Sequence, residues 1–77
     1  MTTFEDVKKF AAEFIAIADK LDVNVCRYFA GSDNIEDVRA YETVKAADRK
    51  FIDAVNDLCG YKEYEYGLNY ELAEAYL

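Results

Sequence analysis

Few residues in this chain could do chemistry. It contains no histidine, so it lacks both the usual base near neutral pH and the commonest metal ligand. Ser32 is the single serine, and without histidine no Ser-His-Asp arrangement can form. Cys26, followed directly by Arg27, is the one candidate nucleophile, because a neighbouring cation favours the thiolate. A structural thiol is the simpler interpretation of Cys26, so we expect no enzymatic activity.

Metal and cofactor sites are equally short of ligands. Cys26 and Cys59 have no CxxC partner, so one chain cannot build a structural zinc site. Two carboxylate pairs have helical spacing: Asp53 with Asp57, and Glu71 with Glu74. Such pairs can bind a metal or share a proton, but a solvated helix surface explains them more simply. Glycine-rich phosphate loops and DxDxDG calcium loops are absent, and we expect no metal and no cofactor.

The negative charge is concentrated in the last third of the chain. The net charge is −7, and residues 1–50 hold ten acids against eight bases. Residues 51–77 hold six acids and one base, Lys62. Nucleic acids and anionic membranes require clustered Lys and Arg, so neither is expected as a direct partner. A basic surface on another protein is the natural complement.

The last third also holds most of the tyrosines. Five of the seven Tyr follow residue 60, whereas four of the five Phe precede residue 30. Interfaces use Tyr because it joins an apolar ring to a polar tip, and cationic side chains bind its ring face. We therefore predict that the following residues bind a partner: Tyr61, Glu63, Tyr64, Glu65, Tyr66, Tyr70, Glu71 and Glu74. The alternative is that Tyr61, Tyr64 and Tyr76 cover the open end of the fold.

A long central helix must organise these residues. Residues 33–59 begin with Asp33 and Glu36, spaced as a capping box, and Gly60 can end the helix in the left-handed conformation. Apolar residues recur between them at threes and fours. They are Ile35, Val38, Tyr41, Val44, Ala47, Phe51, Ala54, Val55 and Leu58.

A second helix of matching length precedes it, over residues 3–30. Thr3 and Asp6 are spaced as a capping pair, and Gly31 is placed to follow the last turn. Its apolar residues are Phe4, Val7, Phe10, Ala11, Phe14, Ile17, Ala18 and Leu21. Residues 22–30 have mixed signals, because Val23 and Val25 alternate as in a strand while the helical spacing continues. We favour helix there.

The two helices are expected to form an antiparallel hairpin about Ser32 in a single domain, residues 1–77. The register then pairs Phe10 with Ala54, Phe14 with Phe51, Ile17 with Ala47 and Leu21 with Val44. Cys26 and Cys59 lie tens of ångströms apart at about 1.5 Å per residue, too far for a disulfide. A short helix over residues 68–77, capped by Asn69, completes an all-α fold. The alternative is an α+β fold with short strands near residues 23–29 and 61–66.

Residues 31–38, Gly-Ser-Asp-Asn-Ile-Glu-Asp-Val, resemble the start of the second helix of acyl carrier proteins, which are also short, acidic and helical. That family carries phosphopantetheine on the serine of an Asp-Ser-Leu motif. Here Asn34 follows Asp33 and has no hydroxyl, so the likeness does not extend to the attachment site. The following helix also carries Arg39, Lys45, Arg49 and Lys50, whereas the partner-binding helix of the family is acidic.

These patterns favour a non-enzymatic, acidic protein-binding module, an inhibitor or adaptor of the kind that phages and mobile elements encode. It would occlude a basic surface of a larger protein. A homodimeric four-helix bundle with a structural role is the alternative, and mimicry of DNA charge is a weaker one. Residues 2–6 lead into a charged amphipathic helix rather than a signal peptide, and no apolar run could span a membrane. We expect a cytoplasmic location with reduced thiols.

Overall fold

The computed structural model describes residues 1–60 and 69–77. They form four helices: α1 (Phe4–Lys20), α2 (Asp22–Phe29), α3 (Ile35–Cys59) and α4 (Tyr70–Ala75). The predicted all-α fold is confirmed, including the short C-terminal helix. The alternative strand near residues 23–29 is wrong, because this segment is helical. The other, near residues 61–66, lies outside the described residues.

The start of α1 forms as its sequence predicts. The Thr3 side chain accepts a hydrogen bond from the Asp6 N–H at 3.2 Å, and Asp6 Oδ2 accepts one from the Thr3 N–H at 3.0 Å. This reciprocal pair is a capping box, and it satisfies two of the donors that a first turn leaves unpaired.

The predicted helix over residues 3–30 is divided at Leu21. Its backbone, with φ −106° and ψ 14°, ends α1 and begins α2 at once. The residues that follow, Asp22, Val23 and Asn24, have weak helix propensity, so a break in the helix costs little at this point. Tertiary contacts then hold α2 against α3, because Val25 is buried and Asn24 Nδ2 donates to Asp37 Oδ1 at 3.0 Å.

The turn of the hairpin contains the predicted glycine in a left-handed conformation and a network of polar side chains that was not predicted. Gly31 has φ 102°, and the Ser32 N–H bonds back to the Arg27 carbonyl at 3.0 Å, as in a Schellman motif. Ser32 Oγ then donates to Asp37 Oδ2 at 2.6 Å and accepts from the Asn34 N–H. Asp37 is buried within this network, with 3% of its surface exposed, although it lies in the first turn of α3.

The predicted capping box of Asp33 with Glu36 is wrong. Asn34 caps α3, and its Oδ1 accepts from the Glu36 N–H at 2.9 Å. At the other end Gly60 takes the left-handed conformation, φ 69°, as expected, and its N–H bonds to the Asn56 carbonyl at 2.8 Å.

The core lies between α1 and α3. The Phe14 and Phe51 rings stack with centroids 6.2 Å apart, which confirms the predicted register at its centre. The buried apolar residues are Val7, Ala11, Phe14, Ala18, Val25, Ala40, Val44, Phe51, Ile52, Ala54, Val55 and Ala73. Cys26 and Cys59 form no disulfide, as the register predicts, and both are exposed rather than buried as structural thiols.

The apolar stripes end sooner than the pattern suggests. Phe4 is 54% exposed and Ile35 58% exposed, and Leu58 also reaches solvent. All three lie at helix ends, where the facing helix no longer covers them. Within the described ranges no helix combines the length and apolar composition needed to cross a membrane.

Candidate partner-binding site

The predicted partner-binding residues fall into two groups. Five of them lie outside the described residues: Tyr61, Glu63, Tyr64, Glu65 and Tyr66. The structure places the other three, Tyr70, Glu71 and Glu74, on α4. Glu71 and Glu74 are exposed, whereas Tyr70 is half-buried against the hairpin.

Tyr70 attaches α4 to α1. Its hydroxyl donates to Asp19 Oδ1 at 2.6 Å, and its ring meets the Phe14 ring edge-on with centroids 6.3 Å apart. The bond to Asp19 is the main reason that the pKa of Tyr70 rises to about 12, with desolvation and the charges of Asp19, Glu74 and Asp22 adding to it. Carboxylates from three helices therefore surround one phenol, which stays protonated and keeps donating at neutral pH.

Asn69 provides a second attachment, which the sequence interpretation missed. It stands at the N-cap position of α4, but its side chain makes no capping bond. Instead Asp48 Oδ1 accepts from the Asn69 N–H at 3.1 Å, and Asn69 Nδ2 lies 3.2 and 3.3 Å from the two Asp48 oxygens. The prediction that Asn69 caps the last helix with its side chain is thus wrong.

Asp48 is a buried acid, with 7% of its surface exposed. Desolvation raises its pKa, and the hydrogen bonds from Asn69 oppose that rise. A signal for its burial exists in the sequence: Asp48 follows Val44 by four residues and precedes Phe51 by three, so helical period places it on the core face. A charged residue at such a position requires a polar partner, and Asn69 supplies it.

Tyr76 closes the open end of the hairpin. Its ring lies 5.8 Å from both the Phe4 and the Phe51 rings, and its hydroxyl is 3.9 Å from Cys59 Sγ. Burial raises the pKa of Tyr76, and the hydrogen bond with Cys59 adds to the effect. For Tyr76 the structure therefore agrees with the alternative interpretation, in which late tyrosines cover the core. Tyr61 and Tyr64, named with it, lie outside the described residues.

A pocket of about 390 Å³ opens beside Tyr70, where all four helices meet. We call it the acidic pocket, and its lining residues are Ala18, Asp19, Asp22, Val25, Cys26, Phe29, Val44 and Tyr70. Its floor is apolar, because Ala18, Val25 and Val44 are core residues. Two exposed carboxylates, Asp19 and Asp22, lie at its rim with the Phe29 ring, which is 60% exposed. A long side chain with an apolar stem and a cationic end fits this combination.

The remaining chemical candidates have structural partners. Cys26 Sγ donates to Asp22 Oδ1 at 3.7 Å. In the carboxylate pair of Asp53 and Asp57, Asp57 accepts from the Thr2 N–H at 3.0 Å, and hydrogen bonds from the Thr2 side chain and backbone lower its pKa. Among the residues whose positions are described, no three Cys, Asp or Glu side chains form a group that could hold a metal ion.

Comparison with protein-family models, curated proteins and solved structures finds no match for this chain.

Proposed function

We propose that this chain is a non-enzymatic protein-binding module, an inhibitor or adaptor that covers a basic surface of a larger protein. The observation that carries the proposal is the acidic pocket, in which Asp19 and Asp22 lie beside an apolar floor and the Phe29 ring. The pocket accepts an Arg or Lys side chain from the partner.

Charge at this surface supports the proposal beyond the pocket itself. Glu74 lies close enough to raise the pKa of the Tyr70 phenol, and Glu71 is exposed on the same short helix. The acids of α4 therefore continue the negative rim that Asp19 and Asp22 begin. A field of one sign speeds encounter with a basic partner, and buried apolar contact then slows its dissociation.

The partner chemistry follows from the shape of the pocket. A basic residue inserted here leaves its methylene groups against Val25 and Val44 and its charge between the two aspartates. Arg fits better than Lys, because its planar guanidinium can bond two carboxylates and stack on an aromatic ring at once. The tyrosines and glutamates predicted from residues 61–66 extend this surface in the proposal.

A matched pair of small ligands tests the pocket directly. Chemical shifts of backbone amides are followed by NMR during titration with N-acetyl-arginine amide, and again with N-acetyl-citrulline amide, its neutral isostere. We expect shifts in α2 and α4 around Cys26, Phe29 and Tyr70 with arginine alone. Shifts of equal size with citrulline, or shifts spread evenly over all acidic residues, would contradict the proposal.

A matched pair of variants tests the role of charge. Asp22→Asn removes a carboxylate from the pocket rim, whereas Asp33→Asn removes one from the exposed turn after α2. Both change the net charge equally. We expect Asp22→Asn to weaken the binding of an Arg-rich peptide by about fivefold at low salt and Asp33→Asn to change it little. Loss of the difference at high salt is also expected, because salt screens exposed charges.

A further inference from the structure

The two flanks of the α1–α3 hairpin are not equivalent. On one flank α4 lies across the hairpin, with Tyr70 bonded to Asp19 of α1 and Asn69 bonded to Asp48 of α3. On the other flank a groove runs between the two helices. No other described helix lies over that groove, whose lining comes from α1 and α3 and from Thr2 at its far end.

The groove is self-complementary in size. Its α1 side carries Phe10 and Ile17, both half-buried, and its α3 side carries Ala46 and Ala47. One wall is therefore built of large apolar side chains and the other of small ones. A second helix pair fits best when its large wall lies over the small wall of the first, because protein interfaces pack as densely as interiors.

The groove is also self-complementary in charge. Glu13 is on the α1 side and Lys50 on the α3 side, and both line the same groove. They lie at nearly the same height along the hairpin, because Phe14 and Phe51, the residues that follow them, stack on each other. At this height each rim carries one charge, and the two charges are opposite; about one turn further along α3, Asp53 adds an acid beside Phe10.

We propose that a second copy of this chain docks on the groove about a two-fold axis parallel to the helices. Rotation about this axis keeps every residue at the same position along the helix direction. It brings the α1 side of each groove opposite the α3 side of the other, so α1 of each copy lies on α3 of its partner. Each Glu13 then faces Lys50 of the partner subunit, Ile17 lies over the partner's Ala47, and Phe10 lies over the partner's Ala54. The four long helices form an antiparallel bundle.

Charge selects this two-fold axis over the perpendicular one. An axis across the helices would place α1 on the partner's α1 and bring the two Glu13 carboxylates together, with the two Lys50 ammonium groups likewise opposed. Like charges at matched positions disfavour association. This interface leaves the acidic pocket on the opposite flank open, so it does not depend on the proposed function.

Charge-reversed variants test the arrangement by sedimentation equilibrium of the full chain, from low to high micromolar concentration. Wild type is expected to dimerise. Glu13→Lys alone and Lys50→Glu alone each turn two attractions into two repulsions, and we expect dissociation constants about tenfold higher. Lys8→Glu on exposed α1, outside the groove, is the control of equal charge change for Lys50→Glu. It should leave the dissociation constant within about twofold of wild type.

Recombining the charges makes the test specific. An equimolar mixture of Glu13→Lys and Lys50→Glu restores both attractions between unlike copies, and the double variant restores them between like copies. Both should regain the wild-type dissociation constant. A monomeric wild type, single variants that dimerise as wild type does, or a mixture and double variant that stay weak would each overturn the proposal. Circular dichroism confirms that every variant keeps its helices.

Discussion

The two flanks of the hairpin differ in how the edge of the core is covered. The α4 flank is held by polar groups: Asp48 with Asn69, and Asp19 with Tyr70. The groove flank presents Phe10, Ile17 and alanines with acids and one base at its edges. Hydrogen bonds to a buried acid require one specific partner geometry, whereas an apolar surface accepts any shape that fits. The α4 flank is therefore specified by contacts among the described residues, whereas the groove flank is the surface on which the proposed second copy docks.

The largest expected effect concerns the core that both flanks share. Phe14 is fully buried, and its ring contacts both Phe51 and Tyr70. Phe14→Ala should lower the free energy of unfolding by about 3–5 kcal/mol, measured by chemical denaturation. Phe29→Ala is the control, because the Phe29 ring is largely exposed. A loss below about 1 kcal/mol for Phe14→Ala would remove it from the core.

Asp48→Ala should destabilise the α4 flank more than the groove flank. It leaves the buried N–H donors of Asn69 without an acceptor, which destabilises the fold by about 1–3 kcal/mol. We expect faster hydrogen exchange in α4, with α1 still protected where it faces the groove. Asp48→Asn keeps one acceptor oxygen and should lose less. Equal exchange throughout all helices would show that α4 is not a separately anchored element.

Tyr70→Phe should have a smaller effect, which is present at neutral pH and disappears at high pH. The pKa of Tyr70 is about 12 in the fold against 10.0 for the free side chain, so the folded state holds this proton more tightly. Its contribution to stability is complete below pH 10 and is lost as the pH rises towards 12. The difference in unfolding free energy between wild type and Tyr70→Phe should shrink across that window. A constant difference would show that the bond to Asp19 does not hold the proton.

The smallest expected effect concerns pH: the stability contributed by Asp48 and the stability contributed by Asp57 should change in opposite directions as the pH falls. Burial raises the pKa of Asp48, so the stability it contributes is present at acid pH and declines as the pH rises through its folded pKa. Hydrogen bonds from Thr2 lower the pKa of Asp57, so its contribution is present above the unfolded pKa of 3.8 and is lost on acidification. Asp48→Asn and Asp57→Asn should therefore change the acid limb of the stability profile in opposite directions. Shifts in the same direction would contradict the assignment for one of them.

Local signals in the sequence predicted the helix ends that depend on nearest neighbours. Thr3 with Asp6, Gly31 and Gly60 all act as expected, because each makes its bonds within a few residues. The cap of α3 was misplaced by one residue, from Asn34 to Asp33. Both residue types cap helices well, and the choice between them depends on Ser32, which bonds both the Asn34 N–H and the buried Asp37.

The candidate site was predicted only in part, because it too depends on contacts between residues that are distant in the sequence. Composition indicated an acidic, tyrosine-rich C-terminal region, and Tyr70, Glu71 and Glu74 do lie on a described helix of that region. Asp19, Asp22 and Phe29 were not predicted, since each looks like an ordinary surface or core residue of its own helix. They become a pocket only because the chain bends at Leu21 and α4 folds back over α1.

By itself the sequence determined that this chain is helical, where α3 runs, and in which register α1 and α3 pair, but not the break at Leu21. Periodicity and capping act over one or two turns, so these features are readable from neighbouring residues. Tertiary structure alone decided that Asn69 is the partner of Asp48 and that one flank of the hairpin is covered while the other carries a groove. Those outcomes depend on residues such as Asn69, which lies 21 positions from the carboxylate it satisfies, and no local rule joins groups across that distance.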